Sequence, residues 1–314
     1  GDEQRGPNAG ERGGDALMAG VESYLKPEVV RLISRLDLKA RFIAQGFISG
    51  LHASPYHGFS VEFSEHRKYE PGDEFSTIDW SVYARTERIY VKKFRAETNT
   101  QSYLVIDTSP SMGYTYGGIT KLEYSICLAA SLGYLMIRQQ DPVGLVTFDS
   151  QVRTAMPPRC KQAQLTAIIA QLSKTEPSGV TDVAKALHQV AELARRRGFI
   201  IIFSDFLGEL DPIMDALNHL AFRKHDVIVF QVLDEAEVKL PFEEFSNFED
   251  LETGETLAVD PNSVRTSYQA EINGFISTLK ERCLRARVDY RQLDTSMPFD
   301  KALMSFLLAR KARF

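Results

Sequence analysis

From about residue 100 to residue 232, short apolar runs alternate with longer stretches whose apolar positions recur at helical spacing. Ser102–Ile106, Val143–Phe148, Phe199–Phe203 and Val227–Val232 are nearly continuous in apolar residues. Such runs read as strands buried on both faces, the pattern of a parallel sheet with helices above and below. Between them, Lys121–Gln139 is apolar on nearly all sides and reads as a buried helix. Lys161–Leu172 and Asp211–Phe222 also read as helices, and Asp182–Arg196 places Val183, Ala186, Leu187, Val190, Ala191 and Ala194 on one face. Asp149-Ser150 turns the second strand into Val152–Ala155, predicted as an antiparallel edge. The whole predicts an α/β fold with a doubly wound, mainly parallel, Rossmann-like sheet.

The flanks read differently. Residues 1–20 carry too little apolar surface to repay ordering and are predicted as a disordered tail. Pro27–Phe47 has helical spacing at Val29, Val30, Ile33, Leu36 and Ala40. Residues 50–98 hold the turn signals His57-Gly58 and Pro71-Gly72-Asp73 and β-type runs such as Arg88–Val91, so 21–98 is predicted as a helix followed by a small β or irregular region. After the core at 99–235, residues 241–256 hold six carboxylates and no base, with a Thr253-Gly254-Glu255 turn, and 236–262 is predicted as an inserted acidic hairpin. A helix from about 263 to 286, a strand Val288–Leu293 and a last helix from Phe299 complete the domain.

Several function classes are excluded by composition. Lys plus Arg number 37 and Asp plus Glu 42, a net charge of −5, which argues against a general nucleic-acid binder. The basic run Arg85, Arg88, Lys92, Lys93 and Arg95 reads as a solvated strand edge rather than a groove. Cys127, Cys160 and Cys283 are odd in number and far apart, so neither a disulfide framework nor a cysteine zinc site is suggested. The longest uncharged apolar stretch, Tyr124–Ile137, is shorter than a spanning helix, and the first 20 residues have no apolar core of a signal peptide. A cytoplasmic protein with no membrane span is expected. Arg67, Asp73, Asp79 and Arg85 are expected to form an ion-pair network in the N-terminal region, and Trp80 to pack in a core.

In an open α/β sheet, ligands bind beyond the carboxyl ends of the strands. The first strand of the core delivers Asp107-Thr108-Ser109-Pro110-Ser111 there, the loop Ser178-Gly179-Val180-Thr181 enters the amphipathic helix, and a third strand ends at Asp205. Any one of these residues could be a turn or cap; Thr181 in particular suits an N-cap. Together they offer oxygen ligands only, a set that suits Mg²⁺, with Mn²⁺ as the alternative.

The pattern Asp107-x-Ser109-x-Ser111, then Thr181, then a strand-end Asp205 resembles the metal-ion-dependent adhesion site of von Willebrand factor A-type domains. Arg67–Asp73, Ile78-Asp79-Trp80, Ala84-Arg85 and Phe248–Glu255 resemble the bacterial family called domain of unknown function 58. The resemblance implies that Ser109, Ser111 and Thr181 touch the metal directly or through water, with Asp107 and Asp205 behind them. It implies that an acidic side chain of a protein partner completes the shell, and that the partner is a MoxR-type AAA+ ATPase or its client.

The rival reading is a metal-dependent hydrolase of phosphoesters or peptides. Position 109 is Ser where a haloacid dehalogenase-type phosphotransferase needs a second Asp, and the chain has neither a P-loop nor a correctly spaced nucleophile elbow. A binding module without enzymatic activity is the expectation. A structural scaffold whose site holds no metal is a third reading.

Overall fold

The computed structural model describes residues 60–69, 78–97, 100–138, 140–298, 301–303 and 305. The expected tail at 1–20, the helix at 27–47, both turn signals and Asp73 of the ion-pair network lie outside the described residues, as does most of the last helix from Phe299. The chain divides into two compact units, residues 51–99 and the remainder.

In the smaller unit, β1 (Ser60–Lys68) pairs antiparallel with β2 (Tyr90–Glu97), with a bulge between Phe63 and Glu65. A short helix, α1 (Trp80–Thr86), lies between them in sequence. The turn-rich text hid it. Its cap is the buried Asp79, whose Oδ1 accepts from Val82 N at 3.2 Å. Trp80 is not core: it is 59% exposed and meets Tyr83 edge to face.

The larger unit is built on a six-stranded sheet. In chain order its elements are β3 (Gln101–Asp107), α2 (Lys121–Arg138), β4 (Val143–Phe148), β5 (Val152–Arg159), α3 (Gln162–Leu172), α4 (Val183–Leu193), β6 (Gly198–Ser204), α5 (Leu210–Phe222) and β7 (Asp226–Leu233). There follow α6 (Glu235–Lys239), β8 (Ser246–Glu249), β9 (Thr256–Val259), α7 (Pro261–Arg285) and β10 (Asp289–Asp294). The strand order is β10-β7-β6-β3-β4-β5, all parallel except β5, which runs antiparallel to β4 at the edge. The fold is the predicted α/β architecture with a mainly parallel central sheet. β5 extends four residues beyond the Ala155 expected from sequence, to Arg159.

Side-chain alternation sorts the core into two layers. Tyr103, Val105, Val146, Phe148, Ile200, Ile202 and Val229 pack with the buried faces of α4, α5 and α7. Leu104 and Val143 point the other way, and Gly133 of α2 lets them and Leu165 of α3 approach: an added Cβ would lie 3.3 Å from Leu104 Cδ1. Helix α4 stops at Leu193, earlier than its periodicity suggests, because Ala194 leaves helical geometry at φ −81°, ψ 76°.

The connections place the site. From β3 the chain moves to β4 on one side, then crosses back to β6 on the other. The winding therefore reverses between β3 and β6, and this is where an open sheet leaves a crevice at its carboxyl ends. Those two ends carry Asp107 and Ser204-Asp205.

Candidate functional site

Asp107 ends β3 and is fully buried. Its Oδ2 accepts from Ser204 Oγ at 2.6 Å, across the reversal point, and its Oδ1 accepts from Ser109 N at 2.9 Å. Burial, and then the charge of Asp205, raise its pKa to about 7, while the hydrogen bonds from Ser204 and Ser109 pull the other way. Beyond Asp107 the chain makes a 3-10 turn at Pro110–Gly113, which brings Ser111 Oγ to 3.1 Å from Ser109 Oγ.

The second loop is pinned to the first. Ser178 N donates to Thr108 O at 2.8 Å, and Thr108 Oγ1 donates to Phe148 O at 2.9 Å. Gly179 has φ +91°, and an added Cβ there would lie 2.2 Å from Asp149 Oδ2, so only glycine fits. Thr181 is not the cap of α4. That role falls to Asp182, whose side chain accepts from Lys185 N at 2.9 Å.

The sequence-predicted residues Asp107, Ser109, Ser111 and Thr181 are thus brought to one end of the sheet, with Asp205 next to Ser204. Three residues not singled out from sequence join them. Ser204 supports Asp107. Lys121, the first residue of α2, is fully buried and places Nζ 2.8 Å from Asp205 Oδ2 and 2.5 Å from Glu237 Oε1. Burial alone would lower the Lys121 pKa, but the two carboxylates raise it, so the ammonium is held charged.

The third is Glu252. The tip of the acidic hairpin enters the site. Glu252 Oε2 accepts from Thr181 N at 3.0 Å, and Oε1 accepts from Ser111 N at 3.3 Å and from Thr181 Oγ1. One carboxylate therefore bridges the two loops. Among the described residues no three His, Cys, Asp or Glu side chains gather as a metal-holding group. A cation at this end of the sheet would rest on hydroxyls as much as on carboxylates.

Residues 65–274 match the family described as "Protein of unknown function DUF58". The chain is 30% identical over 241 residues to the uncharacterized Mycobacterium tuberculosis protein Rv1480 and to Mycobacterium bovis Mb1516, covering 75% of this chain and 75% of each relative. Solved structures similar to it include an aerotolerance-related membrane protein from Bacteroides fragilis (16% identity, 68% of this chain and all of that one, TM-score 0.48). BatB from Bacteroides thetaiotaomicron (18%, 68% and 100%, 0.45) and the SpRpn10 VWA domain (10%, 67% and 95%, 0.39) are further examples. Among the described residues no helix is long and apolar enough to cross a membrane.

Proposed function

The chain belongs to the DUF58 family of proteins of unknown function, and from that premise we propose that it is a metal-dependent protein-binding module rather than an enzyme. In this reading it is a von Willebrand factor A-type domain, and Ser109, Ser111 and Thr181 hold an Mg²⁺ or Mn²⁺ ion, with Asp107 and Asp205 behind them. The partner presents an acidic side chain and is a MoxR-type AAA+ ATPase or its client, met in the cytoplasm.

The observation that carries the reading is the bridging of the Ser111 and Thr181 loops by one carboxylate, at the end of the sheet that carries the buried Asp107. The donor set suits a hard cation. Octahedral Mg²⁺ with bonds of about 2.0–2.1 Å sets neighbouring ligand oxygens about 3 Å apart, and the Ser109 and Ser111 hydroxyl oxygens are 3.1 Å apart. Asp205 is compensated by Lys121, whereas the partners of Asp107 are the neutral donors Ser204 Oγ and Ser109 N, so a cation would balance its charge. Neutral hydroxyl ligands leave most of a cation's charge directed outward, where a partner's carboxylate would otherwise be repelled by Asp107 and Asp205.

Two measurements test this. Calorimetric titration with Mg²⁺ and Mn²⁺ should show one site in the wild type and none in Asp107→Ala. Complex formation with a MoxR-type AAA+ ATPase from the same organism, followed by size exclusion, should be lost in EDTA and in Thr181→Ala. Binding that survives both chelation and mutation overturns the reading. Steady turnover of a phosphoester or peptide that depends on Mg²⁺ and Asp107 would favour the hydrolase instead.

A further inference from the structure

We propose that Glu252 is an internal ligand of this site: the 246–259 hairpin closes the site with its own carboxylate, and a partner's acidic side chain must displace it. The inference rests on the reading of the site as a carboxylate-accepting module, and it concerns how that site is regulated.

Glu252 sets a carboxylate against the two loops that are proposed to receive a partner's acidic side chain. It accepts from Ser111 N, Thr181 N and Thr181 Oγ1, donors on two separate loops at the sheet's carboxyl end. The tip of the hairpin is built to present it. Asp250 Oδ1 accepts from Glu252 N at 2.7 Å and from Thr253 N at 3.3 Å, and Gly254 N closes the turn onto Asp250 O at 2.7 Å. Gly254 sits at φ +72°, a conformation that favours glycine.

The rest of the hairpin is lightly held. β8 and β9 form a two-stranded sheet separate from the central one. Their side chains alternate between half-buried and exposed in β8 and are almost all exposed in β9, with Leu257 67% exposed. A two-stranded hairpin of this kind contributes little stability of its own. Among the described residues, the hydrogen bonds from residues 250–255 to the rest of the protein are those of Glu252.

Anchoring sits at the base. Arg265 Nε donates to Leu240 O at 3.0 Å and its Nη2 to Phe242 O at 2.5 Å, while Asn262 Nδ2 donates to Glu243 O at 2.8 Å. The Phe242 ring meets Phe248 and Tyr116 edge to face. A firm base and a tip tethered by one carboxylate make a lever with two states. A tethered ligand competes at high effective concentration, so the closed state weakens every external carboxylate by the fraction of molecules it occupies.

The test uses the chain alone and then a probe, N-acetylglutamate amide. Hydrogen–deuterium exchange without metal compares the wild type with Glu252→Ala and with Glu255→Ala, a neighbouring control. Glu252→Ala should speed exchange at the Ser111 and Thr181 amides and across 246–259 by tenfold or more, leaving β3 and β6 unchanged, while Glu255→Ala behaves as the wild type. With Mg²⁺ present, the probe should bind Glu252→Ala at least tenfold more tightly than the wild type. Unchanged exchange in Glu252→Ala, or equal probe binding by both proteins, overturns the internal ligand and leaves the module reading standing. A probe that binds neither protein, with or without Mg²⁺, overturns both.

Discussion

Lys121 Nζ lies 2.8 Å from Asp205 Oδ2, and both side chains are buried. The contact joins the start of α2 to the end of β6, the two elements that flank the site. Lys121 also reaches Glu237 Oε1 at 2.5 Å, and Glu237 Oε2 accepts from Asp234 N at 2.8 Å in the capping box of α6. One ammonium therefore ties the carboxyl end of β6 to the segment that leads into the hairpin.

Replacing Lys121 with methionine leaves the buried Asp205 and the half-buried Glu237 without their cation. Removing one partner of a buried pair costs about 3–5 kcal/mol. Lys121→Met should lower the unfolding free energy by that amount in urea, and Lys121→Met/Asp205→Asn should recover part of it. Equal stability of wild type and single variant would show that the pair is not formed in solution.

Gly179→Ala should be destabilising for two separable reasons. The left-handed φ of +91° strains any L residue by about 1–3 kcal/mol. The new Cβ would also strike Asp149, which accepts from Arg153 Nε at 2.6 Å and so has little room to withdraw. Adding Asp149→Ala should relieve the collision and not the strain, so the double variant should be intermediate in denaturant midpoint relative to a corrected sum.

Much of this fold is legible from residue order. The runs around Leu104, Val146, Ile201 and Val229 contain almost no polar side chain because both faces of those strands are covered, and their parity assigns each residue to a layer. Asp107 and Asp205 are legible for the same reason: each is the first charge after such a run. Glu252 is not, because it lies 141 residues from Ser111 and 71 from Thr181, and nothing local distinguishes it from its five neighbouring carboxylates. The exposed Trp80 misleads by its residue type, since a large aromatic ring is ordinarily a burial signal.

Asp141 gives a pH prediction away from the site. It lies between α2 and β4, is buried, and burial raises its pKa from 3.8 to about 7. Its folded-state pKa lies above the unfolded value, so its contribution to stability is complete below pH 4 and is lost as pH rises toward 7. Asp141→Asn lacks that loss. The variant should gain on the wild type between about pH 4 and 7, by about 4 kcal/mol at the upper end, and hold a constant advantage above it. Urea midpoints of both proteins across pH 4–8 check the sign; a difference independent of pH would show that Asp141 ionises in the folded state as it does in water.

The last prediction separates the support of Asp107 from its charge. Ser204 Oγ donates to Asp107 Oδ2 at 2.6 Å, and Phe206 N donates back to Ser204 Oγ at 3.1 Å, so the hydroxyl is fixed from both sides. Ser204→Ala keeps every hydroxyl and carboxylate proposed to hold the cation and removes one of the two donors that orient Asp107. Partners of this kind behind a ligand are worth about 10- to 100-fold in metal affinity. Titration with Mn²⁺ should therefore show Ser204→Ala weakened by about that factor, Asp107→Ala without measurable binding, and Ser204→Thr, which retains the hydroxyl, nearer the wild type. If Ser204→Ala binds as tightly as the wild type while Asp107→Ala does not bind, Asp107 is held by Ser109 N alone and the contact across the β3–β6 reversal serves the fold.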